Sequence, residues 1–230
     1  MKYFFFFITI LAIQNTFAQL EVLEKSEFIF KPQNTKFIFI SEETPLNQNT
    51  FVATFKVTGV LKHILPLYFQ IKNKAQHLGA NSFKFRSFRK LEKEKTELVV
   101  ETYFNSDEFF KKNTSNIPHN KVFIFGKLNF PDNKAQSVKI NDEIREITSG
   151  KYIELTLNEK MNISKGGLMG THLSLSPKSS ESSFFLILSG ASVSSAGSGP
   201  SGVGLNFKTG AIDRLEDGLG LILLKIYEKN

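Results

Sequence analysis

The chain offers four histidines and no cysteine to any catalytic or metal-binding site. His63 and His77 flank one predicted helix and would lie about 20 Å apart at 1.5 Å per residue, so they cannot share a metal ion. His119 falls in a polar stretch and His172 in a predicted strand. No Glu-x-x-His or His-x-His spacing occurs. We therefore predict no catalytic residue, no metal site and no cofactor.

Two short motifs imitate known signatures without their structural context. Residues 197–202, Gly-Ser-Gly-Pro-Ser-Gly, have the glycine spacing of a dinucleotide loop, but a strand pattern follows where a helix must hold the pyrophosphate. Ser87 and Lys90 match the Ser-x-x-Lys signature of serine penicillin-recognising enzymes, and Lys208-Thr209-Gly210 matches another. Ser87 lies in a predicted strand, whereas that chemistry needs the serine at a helix start. Neither motif predicts an active site.

The densest positive charge forms a short run that we call the basic strip. Its members are Lys84, Arg86, Arg89, Lys90, Lys93 and Lys95. If Phe83 and Phe85 point into the core, the bases between them point outward from the same strand. Such a strip either contacts an anionic envelope surface, such as lipid head groups, lipopolysaccharide phosphate or an acidic glycan, or is a solvated edge that discourages aggregation. The basic strip is the predicted binding site.

The distribution of charge along the chain supports this location. Residues 51–121 carry 13 Lys and Arg against 6 Asp and Glu, whereas residues 122–230 carry 12 against 11. The acidic clusters there, around Glu143 and Asp217, are interpreted as solvated turns. At 41% hydrophobic and 22% charged, the 230-residue chain is typical of a folded globular protein. Zero cysteine excludes a disulfide scaffold, a Cys nucleophile and a lipid-modified N-terminal cysteine.

The N-terminus has the three parts of a secretory signal peptide, residues 1–18. Met1-Lys2-Tyr3 is positively charged, residues 4–13 are apolar except for Thr9, and a small residue, Ala18, precedes Gln19. Ten apolar residues are too few to span a bilayer. We predict a bacterial protein that is periplasmic or secreted, with no transmembrane segment after cleavage. The expected partner is an anionic envelope surface or another envelope protein, and not nucleic acid.

The elements that position these residues fall into two halves. Residues 19–112 alternate between strand and helix patterns and predict an α+β domain. Its predicted strands lie at 51–58, 81–89 and 97–104, and its helices run from Ile64 to a stop at Gly79 and from a Ser106 cap to Lys112. Residues 113–120 are polar and rich in turn formers, and predict a linker.

The second half, residues 121–230, shows no helical period. Predicted strands lie at 121–130, 138–148, 151–157, 171–176, 183–188, 202–208 and 219–227. Strands separated by short turn signals favour an all-β antiparallel sandwich or barrel.

The helix end and strand start at residues 74–83 contain the turn Leu78-Gly79-Ala80-Asn81. This turn resembles one in small bacterial envelope α/β domains, those of stress-sensing lipoproteins and of heavy-metal-binding-domain-like proteins. The resemblance covers residues 51–104 and implies a helix packed on a small sheet. We infer neither an activity nor a site residue from this resemblance.

These observations favour an exported, non-enzymatic binding or interaction protein. Two alternatives stay open. A hydrolase of envelope polymers would need a cleft that brings His172 or His119 to a carboxylate and a serine. A carrier of an apolar ligand would need an empty apolar cavity in the C-terminal half.

Overall fold

The computed structural model describes residues 18–28, 30–32, 36–47, 49–60, 64–127, 134–166, 170–177, 183–189, 192–199, 202–208 and 212–230, with backbone only for 192–199 and 202–208. The chain is rich in β-strand and divides into two compact units, Met1–Thr114 and Ser115–Asn230. The predicted signal peptide lies outside the described residues, except for Ala18. No helix in the described ranges has the length and apolar composition to cross a membrane.

The first unit is a five-stranded sheet with two helices. Its elements are β1 (Gln19–Lys25), β2 (Ile38–Phe39), β3 (Thr50–Val60), α1 (Ile64–His77), β4 (Ser82–Lys90), β5 (Lys95–Phe104) and α2 (Asp107–Thr114). The strand order is β1-β3-β5-β4-β2, antiparallel except for the β2–β4 pair. The sequence patterns predict β3, β4, β5 and both helices, and they miss β1.

Helix α1 covers one face of this sheet. It begins at Ile64, with Pro66 in its first turn, where the missing N–H costs no hydrogen bond. Its buried side chains, among them Leu67 and Tyr68, lie over fully buried Phe55 and Phe83. The rings of Tyr68 and Phe83 are 5.9 Å apart. Because side chains alternate along a strand, the residues next to Phe55 and Phe83 point to the opposite face of the sheet.

The predicted Leu-Gly-Ala-Asn turn ends α1 and is fixed by backbone geometry and an asparagine. Gly79 has φ +93°, and a Cβ there would come 2.2 Å from the Cβ of Phe30, so only glycine fits. Buried Asn81 donates to the carbonyl of Asn105 at 2.7 Å and accepts from its N–H at 2.9 Å. This pair ties the start of β4 to the end of β5, a structural role that accounts for the turn.

Helix α2 is anchored in the same way. Ser106 caps its start, as predicted, by accepting from the Phe109 N–H at 3.3 Å. Asn113 is fully buried at its end, accepts from the Ser41 N–H and the Thr44 hydroxyl at 2.9 Å, and donates to the Phe39 carbonyl. Helix α2 is thus held by buried polar contacts as well as by apolar packing.

The second unit contains two larger sheets, a separate hairpin and a helix. Its elements are β6 (Lys121–Phe125), β7 (Ala135–Ile140), β8 (Glu143–Thr148), β9 (Lys151–Thr156), β10 (Met161–Lys165), β11 (Thr171–Leu175), β12 (Phe184–Leu188), β13 (Ser192–Gly199), β14 (Gly202–Lys208), β15 (Ile212–Arg214), α3 (Asp217–Ile226) and β16 (Glu228–Lys229). One sheet has the order β11-β10-β7-β8 and the other β15-β12-β6-β9-β16.

The apolar core of this unit joins the two larger sheets. Twelve buried residues form one cluster: Val122, Ile124, Val138, Ile140, Ile147, Leu157, Met161, Ile163, Phe184, Leu186, Leu188 and Ile212. They come from strands of both sheets, which is the arrangement of a sandwich. Because each contributing strand alternates, the next residues along β7, β10 and β11 point away from the core.

The predicted all-β antiparallel architecture is wrong in two respects. The segment predicted as a strand at 219–227 is helix α3, and its residues Gly218 to Leu223 are all buried. Gly220 lies against Phe185, where a Cβ would come 2.1 Å from the ring. A short, wholly apolar run has no period that separates a strand from a buried helix. In addition, β12 pairs with β6, and β16 with β9, in parallel, so this sheet is mixed.

A third correction concerns residues 138–148, which were predicted as one strand. They contain the end of β7 and the whole of β8, joined by a tight turn at Asn141 and Asp142. Both turn residues have positive φ, 43° and 73°, as a two-residue hairpin loop with left-handed central residues requires. Asn and Asp tolerate that conformation, so the pair Asn141-Asp142 was the sequence signal for this turn. The turn matters for function because it borders the groove described below.

Candidate functional site

The structure places the basic strip on β4 and on the turn that follows it. A β-bulge between Phe85 and Ser87 changes the register at Arg86. Arg86, Arg89 and Lys90 are exposed, and Lys84 is half-buried. Lys93 lies in the turn with φ +56°, and Lys95 begins β5. The strip is therefore continuous along the chain, but its bases do not share one uninterrupted positive surface.

Carboxylates of the neighbouring strand β5 lie among these bases. Arg86 pairs with Glu101 at 2.7 Å, and the Nε of Arg89 lies 3.7 Å from Glu97. Glu101 also accepts a hydrogen bond from the Tyr103 hydroxyl at 3.0 Å. Burial raises the pKa of the Tyr103 phenol, and the bond to Glu101 raises it further. The strip thus has a much lower net charge than its own residues suggest.

The same pattern extends across the face of the sheet opposite α1, which we call the charged face. On β3, Lys56 pairs with Glu21 of β1 at 2.6 Å. The hydrogen bond that the Lys56 amine donates to Glu21 raises the pKa of that amine. The charged face therefore consists of Glu21, Lys56, Arg86, Arg89, Glu97 and Glu101, with each base beside a carboxylate. Each such ion pair contributes about 0–1 kcal/mol to the stability of the fold, and its two charges offset each other.

A second polar surface lies on the outward face of the four-stranded sheet in the C-terminal unit. There the side chains that point away from the core supply most of the lining of a groove of about 370 Å³, which we call the outer groove. Its lining residues are Lys139, Asn141, Asp142, Asn162, Ile163, Ser164, His172, Leu173 and Ser174. The polar residues of β10 and β11 face each other in pairs, Asn162 opposite Ser174 and Ser164 opposite His172.

The β7–β8 turn forms one wall of the outer groove. Asn141 accepts from the Asn162 N–H at 2.8 Å, and its own N–H donates to the Asn162 carbonyl at 2.9 Å. Asp142 pairs with Lys139 at 2.7 Å. The hydrogen bond from Lys139 lowers the pKa of the Asp142 carboxyl. The turn is therefore held in place against β10, and its carboxylate is already paired.

His172, which was predicted to lie in a strand, is an exposed residue of β11 and lies in the outer groove. A serine and a carboxylate line the same groove, which is the combination that the hydrolase alternative requires. However, the structure records no hydrogen bond from His172 to Ser164 or to Asp142, and the Asp142 carboxylate is bonded to Lys139. A Ser-His-Asp relay needs both contacts within about 2.6–3.2 Å. The groups are neighbours but are not assembled for catalysis.

The other sequence candidates do not converge. His77 and His119 are exposed in the first and second unit, and His63 lies outside the described residues. Asp217 is the first residue of α3, with Glu216 as its N-cap residue. Within the described ranges no group of three His, Asp or Glu side chains is arranged to hold a metal ion.

One inward-facing lysine was not anticipated. Lys165 continues the inward row of Met161 and Ile163 on β10, and its amine donates to the Ser189 carbonyl at 2.6 Å. Burial lowers the pKa of the Lys165 amine. The bond is made to the backbone carbonyl, and no bond joins this amine to the Ser189 hydroxyl. Its position could have been found from the alternation of β10, as could the outward Asn162 and Ser164.

Comparison with known proteins adds no relative to these observations. No family model matches the chain, and neither a curated protein nor a solved structure matches it. The resemblance of residues 51–104 to bacterial envelope domains therefore stays a prediction, and the argument for function rests on the two polar surfaces.

Proposed function

We propose that the chain is an exported, non-enzymatic binding protein of the bacterial envelope or the extracellular space. In this proposal residues 1–18 are a cleaved signal peptide. Residues 19–114 form an α+β domain, since Asn113 and Thr114 complete helix α2, and the predicted linker 113–120 is shortened to 115–120. Residues 121–230 form a β-sandwich domain with one helix. The start of β1 at Gln19 supports the cleavage position, because removal of residues 1–18 leaves every residue of that strand in place.

The outer groove is the observation that carries the binding proposal. It brings amides, hydroxyls and an imidazole to one surface, and their side chains are available for an external ligand. The same groove argues against hydrolysis, because His172 has neither a bonded nucleophile nor a bonded carboxylate. The carrier alternative is disfavoured by the core cluster, whose buried side chains occupy the layer between the two larger sheets.

The basic strip gives a second candidate contact, with an anionic lipid surface. The observation that favours it is Leu91, which is 41% exposed in the turn between β4 and β5. Lys90 precedes it and Lys93 follows it. An apolar side chain beside lysines fits the interface of an anionic bilayer. Glu92 and Glu94 in the same turn reduce this attraction, so this contact is the weaker candidate.

A sedimentation experiment tests the main proposal. The full chain is expressed with its leader, purified from the exported fraction, and its N-terminus is determined by intact mass. It is then mixed with isolated cell envelopes, and both the bound protein and the soluble sugars and peptides released are measured over time. We expect a mass that begins at Gln19 and saturable binding without release. Time-dependent release that His172→Gln abolishes would show that the protein is a hydrolase instead.

A further inference from the structure

We propose that the outer groove is a binding site for an uncharged, hydroxyl-rich carbohydrate chain. This inference rests on the proposed function and names the ligand class and the residues that contact it. The volume of about 370 Å³ lies within the range of small-ligand pockets. The groove is open to solvent along a sheet surface, so a polymer can lie across it without threading an end into a closed cavity.

The register of β10 and β11 sets the spacing of the polar contacts. Asn162 and Ser174 are directly opposite each other, as are Ser164 and His172. Opposite side chains in an antiparallel pair lie about 5 Å apart, and successive residues on one face lie about 7 Å apart. The four side chains therefore mark the corners of a small rectangle, over which the hydroxyls on one side of a sugar ring can be contacted together.

The chemistry of these four side chains matches hydroxyl groups. An asparagine amide supplies two donors and an acceptor, and each serine hydroxyl both donates and accepts. A sugar hydroxyl likewise donates and accepts at one oxygen. Ile163 and Leu173 lie between them along β10 and β11 and point into the core, so the four polar side chains are the ones that face a ligand.

Other ligand classes fit the groove less well. An anion would meet the carboxylate of Asp142, and the positive charge of Lys139 is offset by that carboxylate at 2.7 Å. A metal ion would need a set of anionic or imidazole ligands, and none is grouped here among the described residues. An apolar ligand would strip water from the amides and hydroxyls without replacing their hydrogen bonds.

The groove is held in position before any ligand arrives. The two hydrogen bonds between Asn141 and the backbone of Asn162 fix the β7–β8 turn against β10. Those bonds use the Asn162 backbone, so its side-chain amide is left for a ligand. A site that is already ordered loses less conformational entropy on binding, which raises the affinity obtained from a few hydrogen bonds.

Titration with three oligosaccharides of equal length tests the ligand class. The exported full chain is titrated with an N-acetylglucosamine tetramer, a glucose tetramer and a galacturonate tetramer, and binding is followed by amide chemical shifts and calorimetry. We expect the neutral tetramers to bind and to shift the amides of 162–164 and 172–174. Preference for the N-acetylated tetramer would identify a cell-wall glycan, and preference for the glucose tetramer an unmodified polysaccharide. Tighter binding of the galacturonate, or no binding of either neutral tetramer, would overturn the inference.

Two pairs of variants locate the site. We expect Asn162→Ala with Ser174→Ala to weaken neutral-tetramer binding at least about tenfold, because ligand hydroxyls lose their partners. Ser164→Ala with His172→Gln removes the other row and serves if the first variant does not fold. The matched control is Ser137→Ala, an exposed serine of β7 that does not line the groove, with a change below about twofold. Equal affinity of both double variants and of Ser137→Ala for the neutral tetramers would show that the outer groove is not the binding site.

Failure of this inference is distinguishable from failure of the proposed function. If the variants bind isolated envelopes as the unmodified chain does, the protein is a binding protein whose site lies elsewhere. If the envelopes instead release products, the binding proposal itself is wrong, whatever the tetramers do.

Discussion

The charged face of the N-terminal sheet and the outer groove of the C-terminal unit are both polar surfaces on antiparallel strands, and they differ in what their side chains contact. On the charged face, bases and carboxylates from neighbouring strands bond to one another, as in Arg86 with Glu101. In the outer groove, Asn162 and Ser174 lie opposite each other and line the groove. The ion pair there joins Lys139 to Asp142 of the flanking turn. The polar groups of the charged face bond to one another, whereas those of the outer groove are available to a ligand.

This difference shows why charge density along a sequence is a poor guide to a binding site. Six bases within twelve residues predicted an anionic contact, but the pairing of β4 with β5 brings Glu97 and Glu101 beside two of them. The uncharged residues of β10 and β11 gave no such signal. We expect substitutions on the charged face to change stability or surface charge, and substitutions in the outer groove to change ligand binding.

The largest expected effect is on stability, at Glu101. The variant Glu101→Ala removes the acceptor of both Arg86 and the largely buried Tyr103, and should lower the free energy of unfolding by about 2 kcal/mol. The control is Glu97→Ala, since Glu97 makes a longer contact with Arg89 and should cost about 0.5 kcal/mol or less. Urea denaturation measures both. Equal losses would mean that the charged face is not organised around Glu101.

A smaller effect is expected on binding to anionic vesicles. Glu97→Gln removes a carboxylate from beside Arg89 and should tighten binding to phosphatidylglycerol vesicles about fivefold, or about 1 kcal/mol, at low salt. The gain should vanish at high ionic strength. Glu159→Gln makes the same charge change at an exposed position of the C-terminal unit and should have little effect. If both variants gain equally, net charge alone controls binding and the basic strip is not a site.

The elements of the first unit could largely be predicted from the sequence, because helix α1 has a buried and a polar side and because apolar residues alternate with polar ones along much of β3 and β4. The 3.6-residue spacing from Ile64 and the left-handed stop at Gly79 are local signals. The same local rules failed for α3, since a helix buried on all sides has no polar stripe to mark its period. They also failed at Asn141-Asp142, where a turn without glycine was interpreted as the interior of a strand.

The surfaces could be predicted less well, because they depend on register. Which carboxylate lies beside Arg86 depends on the β4–β5 pairing and on a bulge that no residue type announces. The outer groove requires β10, which the strand prediction missed, and its pairing with β11. The residue types along a strand determine which side chains alternate, but the neighbours of each side chain come from long-range pairing.

The wall of the outer groove gives a prediction about pH. Because Lys139 lowers the pKa of Asp142, Lys139→Gln should return that pKa to the ordinary aspartate value, as measured by carboxyl chemical shifts during titration. Lys160→Gln, at an exposed loop position, is the control and should leave it unchanged. A folded-state pKa below the unfolded value means that the pair stabilises the fold above the ordinary aspartate pKa. That contribution is lost as the pH falls through the lowered value. An unchanged Asp142 pKa in Lys139→Gln would mean that the pair does not persist in solution.

The smallest expected effect completes the comparison. Asn162→Ala with Ser174→Ala should change the free energy of unfolding by no more than about 0.5 kcal/mol, because the bonds at Asn162 run through its backbone and no buried group loses a partner. Ser137→Ala on the same face should give an equally small change, so urea denaturation of the three chains should produce overlapping curves. A loss above about 1 kcal/mol in the double variant would show that these side chains stabilise the fold, as Glu101 does. The outer groove would then be a second self-satisfied surface, and its polar groups would not be free to recognise a carbohydrate.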